Sequence, residues 1–297
     1  MSIELAFSQW LAVREAIDAA SRSAAVTEAA VNAVALAAGA GDTVRVLDLA
    51  TGAGSNLRFL MERLPSPQQW LVVDRSPLLL THLVERTAAW GADRGYVVRT
   101  APDGLTLRGE RLDCRVEVRQ QDLGSLEEDG LFEGRHLVTA SALLDLAGEQ
   151  WMDALASGCR AAGATALFTI TYDGRSTALP GDPDDARVLE LFHRHQRTDK
   201  GLGGGAAGPD AAAAAGQSFA GVGYQILSAS SDWEISPGDS ELQRTLIEGW
   251  AAAALEVAPE SAAFVNPWLA RRLAHVTAGG SRVTVGHQDM AAWPDRR

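Results

Sequence analysis

Val46-Leu-Asp-Leu-Ala-Thr-Gly-Ala-Gly-Ser-Asn56 reads as the end of a strand, a glycine turn and the start of a helix. A chain that passes sharply from strand into helix needs positive φ or close backbone approach, and Gly52 and Gly54 permit both. Ser55 is the candidate N-cap of the helix, whose first N–H groups favour a carboxylate or phosphate. In an open parallel sheet, such a turn borders the crevice outside the carboxyl ends of the strands, where ligands bind.

Outward from this turn, strand and helix alternate. A β-type run at 44–49 is followed by a helical stretch at 55–64, a second β-type run at 70–74 and a helix opening at Ser76-Pro77, where the missing N–H of proline costs little. Further strands are predicted at 115–119, 136–140 and 164–171, then at 224–235 and 282–285. The alternation predicts an α/β fold: a doubly wound, mostly parallel, seven-stranded sheet covered on both faces. Residues 4–38 carry an Ala/Leu/Val-rich pattern suited to two amphipathic helices broken near residues 21–23, so 1–40 is expected to be a helical N-terminal cap on a 41–297 core. Within that core, 175–220 is loop-like and Gly/Ala-rich, a candidate lid, and 238–278 is a helical insertion before the last strand.

Composition narrows the function. The chain has 297 residues, 46% of them hydrophobic, a formal net charge of -12 and no Lys/Arg stripe, which disfavours a nucleic-acid partner. Cys114 and Cys159 have no Cys/His neighbours spaced as metal ligands and are expected to be free thiols, so no metal is expected. With no signal-like N-terminus and no apolar run long enough to span a bilayer, the expected location is the cytoplasm, without a membrane partner.

Asp74 ends the second β-type run about twenty residues after the glycines, the separation at which an acid meets ribose hydroxyls. That spacing also fits a nicotinamide dinucleotide, but the third glycine of that fingerprint is replaced by Leu57, and an acid, Asp48, precedes the turn within the strand. Asp48 with Gly52-Ala-Gly54 resembles the first motif of the class I S-adenosylmethionine-dependent methyltransferases, and the resemblance extends over roughly residues 44–171. It implies that Thr51, Gly52 and Gly54 line the methionine and ribose parts of the cofactor S-adenosyl-L-methionine, that Asp48 organises the loop, and that Asp74 takes the ribose hydroxyls. By the same resemblance, Asp122 would accept from the adenine amino group, Leu123 would offer a backbone N–H to the ring, and Ser141 would contact the cofactor beneath the reactive methyl. Arg22, with Arg14 as a second candidate, would reach the cofactor carboxylate if the N-terminal helices fold over the site.

The acceptor is read from the later loops. Tyr172, His193 and His195 are the candidate proton acceptors, and Asp145, Arg175 and Arg197 the candidate acceptor-binding residues. The segment His193-Arg-His-Gln-Arg-Thr-Asp-Lys200 concentrates cations in an acidic protein, suiting a small soluble acceptor that bears a carboxylate or phosphate; the competing reading is a solvated helix C-terminus. Two histidines two apart cannot share a helix face, so a helix end is expected there. Oxygen ranks ahead of nitrogen as the accepting atom. A dehydrogenase using NAD and a catalytically silent cofactor-binding partner are the alternatives. The oligomeric state is left open.

Overall fold

The computed structural model describes residues 3–126 and 130–295. The elements run α1 (Ile3–Ser21), α2 (Ala24–Ala38), β1 (Val44–Leu49), α3 (Ser55–Met61), β2 (Gln68–Asp74), α4 (Pro77–Asp93), β3 (Val97–Ala101), β4 (Gly104–Arg108), β5 (Asp113–Gln120), β6 (Leu137–Ser141), α5 (Glu149–Ala162), β7 (Thr165–Leu179), α6 (Asp185–Gln196), α7 (Ala211–Gly221), β8 (Tyr224–Ser230), β9 (Trp233–Ile235), α8 (Ser240–Val257), α9 (Ala262–Thr277) and β10 (Arg282–Pro294).

Among the described residues, one ten-stranded sheet has the order β3-β4-β5-β2-β1-β6-β7-β10-β8, with β9 also paired to β10. The strands β5, β2, β1, β6 and β7 are parallel neighbours, and β10 lies antiparallel between β7 and β8. These seven strands are the seven expected from the alternation. Of the other three, β3 and β4 were not anticipated, while β9 is the end of the run expected at 224–235, which divides into β8 and β9. The β3–β4 hairpin turns through Ala101-Pro-Asp-Gly104, a sequence with a mechanism for turning, and Gly104 is required because a Cβ there would sit 1.9 Å from the Val116 carbonyl oxygen of β5.

Helices cover both faces because the central strands are apolar on both. Val26, Ala30 and Val34 of α2, Leu57 and Leu60 of α3 and Leu83 of α4 pack with Val46 and Val72 on one side. On the other side, Trp151 and Leu155 of α5 and Ala215 and Phe219 of α7 pack with Leu47, Leu71 and Val138. A third apolar cluster joins α6, α8 and α9 to the far ends of β7 and β10 and holds Trp233, Trp250 and Trp268. Both β7 and β10 run well beyond their expected ends. The first half of β7 is buried throughout, whereas its second half alternates and pairs only with β10, so it carries polar residues that read as loop.

The break between α1 and α2 is sharply specified. Ser23 caps α2, its Oγ accepting from the Val26 N–H at 3.3 Å, and its own N–H donates to the carboxylate of Asp289 on β10 at 2.8 Å. The other Asp289 oxygen accepts from the Ile170 N–H, also at 2.8 Å. Ile170 has a φ of 55°, which a β-branched residue rarely adopts, and it lies where two residues of β7 oppose the single Asp289 of β10. One buried carboxylate therefore ties the N-terminal helices to a bulge in the sheet.

Candidate functional site

The glycine turn is held between two strand-end carboxylates. Asp48, fully buried, accepts from Thr51 Oγ1 at 2.6 Å and Asn56 Nδ2 at 2.7 Å, and burial pushes its carboxyl up to about 6. Asp74 accepts from the Gly52 N–H and the Ser76 N–H, each at 2.9 Å, and burial raises its pKa as well. Gly54, at φ 83°, is itself the N-cap of α3, with Ser55 the first helical residue, so the expected serine cap is not made. A Cβ on Gly54 would meet Leu83 Cγ at 2.8 Å, so glycine is required there twice over. Leu57 is wholly buried in the core beneath the turn.

A cavity of about 440 Å³ opens above this turn at the carboxyl ends of the strands. Of the residues singled out for the cofactor, Gly52, Asp74, Asp122, Leu123 and Ser141 line it. Thr51, Asp48 and Gly54 lie behind the wall. Ala50 and Ala142, at the ends of β1 and β6, also line it and have φ of 48° and 52°, conformations that turn the chain out of each strand at some steric cost. The opposite wall is α1, which contributes Phe7, Leu11 and Arg14. That helix is held down by Glu15, paired with Arg58 at 2.6 Å, and by Glu4, which accepts from Ser76 Oγ at 3.0 Å.

Arg22 is brought next to this wall without entering it. Its guanidinium donates to Asn56 Oδ1 at 2.7 Å and Ser141 Oγ at 3.2 Å and lies 4.2 Å over the Phe59 ring; burial lowers its pKa to about 10. Arg14, the second candidate, is the arginine that lines the cavity.

The segment 198–208, expected to be part of a lid, is docked: Leu202 accepts from the Gly148 N–H at 2.8 Å, and Ala147 accepts from the Ala207 N–H at 2.8 Å. Lys200, Gly201 and Leu202 thereby line the cavity beside Asp122 and Leu123; the sequence set them in a candidate lid, and Lys200 in a cationic segment for the acceptor, without assigning them to this wall. The signal was available in the glycines: backbone packs on backbone here, and a Cβ on Gly148 would lie 2.5 Å from the Gly203 carbonyl oxygen.

The acceptor candidates divide into two groups. Tyr172 and His193 meet, hydroxyl to Nε2, at 2.9 Å; burial pushes Tyr172 up to about 12 and lowers His193. Asp145 is buried, with Oδ2 accepting from Gln196 Nε2 at 3.4 Å, and burial pushes it up to about 6. None of these three is among the residues that line the cavity, and the other three are engaged with partners of their own. His195, in the last turn of α6 as expected for a helix end, faces Glu256 and Lys200 at 3.4 Å each. Arg175 is tied to Asp173 and, at 2.8 Å, to Asp232, while Arg197 pairs with Asp210 at 2.8 Å. These arginines are solvated partners of nearby carboxylates, and neither lines the cavity. His287 was missed. It is buried on β10 with its ring 4.8 Å from Trp233 and 6.2 Å from Tyr172, and burial takes its pKa down to about 4.

No family model and no curated protein matches the chain. Solved structures similar to it include the YcgJ protein of Bacillus subtilis, at 12% identity and TM-score 0.46, covering 89% of this chain and 99% of that one. Geranyl diphosphate C-methyltransferase of Streptomyces coelicolor is 11% identical, with TM-score 0.44 and coverage of 91% and 80%. The cyclopropane synthase MmaA2 of Mycobacterium tuberculosis is 12% identical, with TM-score 0.43 and coverage of 90% and 83%. The fold follows from the strand order in the sheet. That order, β5-β2-β1-β6-β7-β10-β8 with β10 alone reversed, gives the chain the Rossmann-like fold of the class I methyltransferases.

Proposed function

We propose that the chain is an S-adenosyl-L-methionine-dependent methyltransferase that moves a methyl group to a small acceptor by in-line displacement. The observation that carries this reading is the cavity above the glycine turn, with Gly52, Asp74, Asp122, Leu123 and Ser141 on one wall. Its volume, about 440 Å³, suits a small-molecule cofactor. The donor set also fits. Asp74 and Asp122 offer carboxylate oxygens to ribose hydroxyls and an adenine amino group, and Arg14 and Lys200 are cations on the wall for a carboxylate.

S-Adenosyl-L-methionine would supply a methyl group already activated on a sulfonium. What remains for the protein is placement and exclusion of water. Asp48 holds the turn through Thr51 and Asn56, Asp74 holds it through the Gly52 N–H, and α1 covers the cavity with Phe7 and Leu11. Tyr172 and His193 orient each other beside the acceptor side. His193, with its pKa lowered, keeps a neutral ring able to accept a proton.

The dehydrogenase alternative is disfavoured by Leu57, which fills the place of a third glycine, and by β10, an antiparallel strand inserted where the dinucleotide fold has none. Calorimetric titration with S-adenosylhomocysteine and with NADH tests the proposal. Binding of the former, weakened about 10-fold or more by Asp74→Ala through loss of charge-assisted hydrogen bonds, is the expected result. Binding of NADH alone would overturn it.

A further inference from the structure

Among the described residues, two buried polar atoms on the acceptor side have no hydrogen-bond partner: Asp145 Oδ1 and His287 Nδ1. Both residues are more than nine-tenths buried, at 8% and 5% exposure. Buried polar groups are normally paired, and a buried carboxylate oxygen without a donor is costly to keep. Asp145 does not itself line the cavity, but it belongs to the turn after β6 whose Ser141, Ala142, Leu143 and Leu146 do. His287 is the cross-strand partner of Tyr172, whose hydroxyl is taken up by His193 and Ser176. The cavity and this cluster meet at Arg14, which lines the one, lies 5.4 Å over the Trp233 ring in the other, and is near enough to Asp145 and His287 to act on the charge of both.

The two cations on the cavity wall, Arg14 and Lys200, are those assigned above to the cofactor carboxylate, and the other cations that would suit an anionic acceptor are engaged elsewhere. Arg175 and Arg197 have carboxylate partners, Arg194 donates to the Val257 carbonyl oxygen, and Arg14 Nε is bonded to Asp18 at 2.8 Å. A carboxylate or phosphate brought here would face an unpaired carboxylate. A molecule with a hydrogen to give would instead complete it.

We propose that the acceptor presents an N–H or O–H donor to Asp145, as an amine or a hydroxyl compound does, and that acceptors offering only a carboxylate or phosphate are excluded from this subsite. The proposal rests on the methyltransferase reading and reverses the anionic acceptor expected from the His193–Lys200 segment. Asp145 acts on the affinity and orientation of the acceptor, so its loss raises KM and leaves cofactor binding alone.

The test is calorimetric titration of the protein, loaded with S-adenosylhomocysteine, with phenol, benzylamine, benzoate and phenyl phosphate, repeated with Asp145→Asn. Phenol or benzylamine should bind at least about 10-fold more tightly than the two anions. The isosteric variant should lose about 10-fold or more of that affinity, the scale of one hydrogen bond to a charged group, at unchanged S-adenosylhomocysteine affinity. Equal binding of all four probes, binding of none, preference for an anion, or indifference to Asp145→Asn would each overturn the proposal. Should the variant fail to fold, the wild-type ranking of the four probes decides alone. Failure to bind S-adenosylhomocysteine would count against the methyltransferase reading only; the same four titrations on the free protein then judge Asp145 separately.

Discussion

The two ends of the cleft are built differently. At the glycine turn, the carboxylates of Asp48 and Asp74 each have both oxygens occupied, by Thr51 and Asn56 in one case and by Gly52 and Ser76 in the other. At the acceptor end, Asp145 and His287 each keep a buried atom without a partner. The first end is a loop fixed before any ligand arrives. The second is a set of side chains from β7, β10, α6 and the turn after β6 that their own contacts leave incomplete. Pre-organisation of this kind suits a constant cofactor, and incompleteness suits a molecule that must be selected.

Breaking the finished end should have the largest effect. Asp48→Ala strands Thr51 and Asn56 and removes a carboxylate neighbour from buried Arg22. We expect a loss of about 4 kcal/mol in chemical denaturation, the cost of leaving buried polar partners uncompensated, together with loss of S-adenosylhomocysteine binding. Asp289→Ala should follow at about 3 kcal/mol, because it orphans the Ser23 and Ile170 N–H groups and unties α1 and α2 from the β7 bulge. Amide hydrogen exchange should then quicken in both α1 and the bulge; quickening in neither would remove the link between the two ends.

A pH titration sharpens the comparison. Native Asp48 holds its proton up to about pH 6, whereas an unfolded aspartate releases it near ~4. Between those values the native state binds more protons than the unfolded one, so this residue makes stability fall as pH rises. Subtracting the Asp48→Asn curve from the wild-type curve should expose a decline of at most about 1.4 kcal/mol per pH unit in that window, and a flat difference would show that Asp48 titrates normally. At the small end, Arg197→Ala should leave stability within about 0.5 kcal/mol and methyl transfer unchanged, since its pairing with Asp210 is solvent-exposed.

Much of the central sheet was legible because its signals are local. The strand, glycine turn and helix at β1–α3 lie within one short stretch, Ser76-Pro77 announces α4, and the break between α1 and α2 falls at Ser23. The β3–β4 hairpin was also announced, by Pro102-Asp-Gly104, but β3 is an exposed edge without the apolar signature of a buried strand. The long ends of β7 and β10 were hidden for a related reason. Their polar residues make sense only beside their strand partners, β10 for the end of β7, and β7 and β8 for the end of β10. In the site, Gly52, Asp74, Asp122, Leu123 and Ser141 come together around one cavity, whereas Arg175 and Arg197 are drawn off by Asp232 and Asp210.

The amino-acid sequence by itself determined the α/β alternation and the turn at Gly52–Gly54, since backbone conformation and period are properties of neighbouring residues. Only the tertiary structure decided which charges are spent and which are spare. Asp173, Asp232 and Asp210 neutralise the arginines from nearby strands and loops, α1 lies across the cavity, and Asp145 is buried with one oxygen unmet. Partners that the fold brings together, some of them from distant parts of the chain, set burial and pairing, and these decide whether a charged residue is a solvated surface group or part of a site.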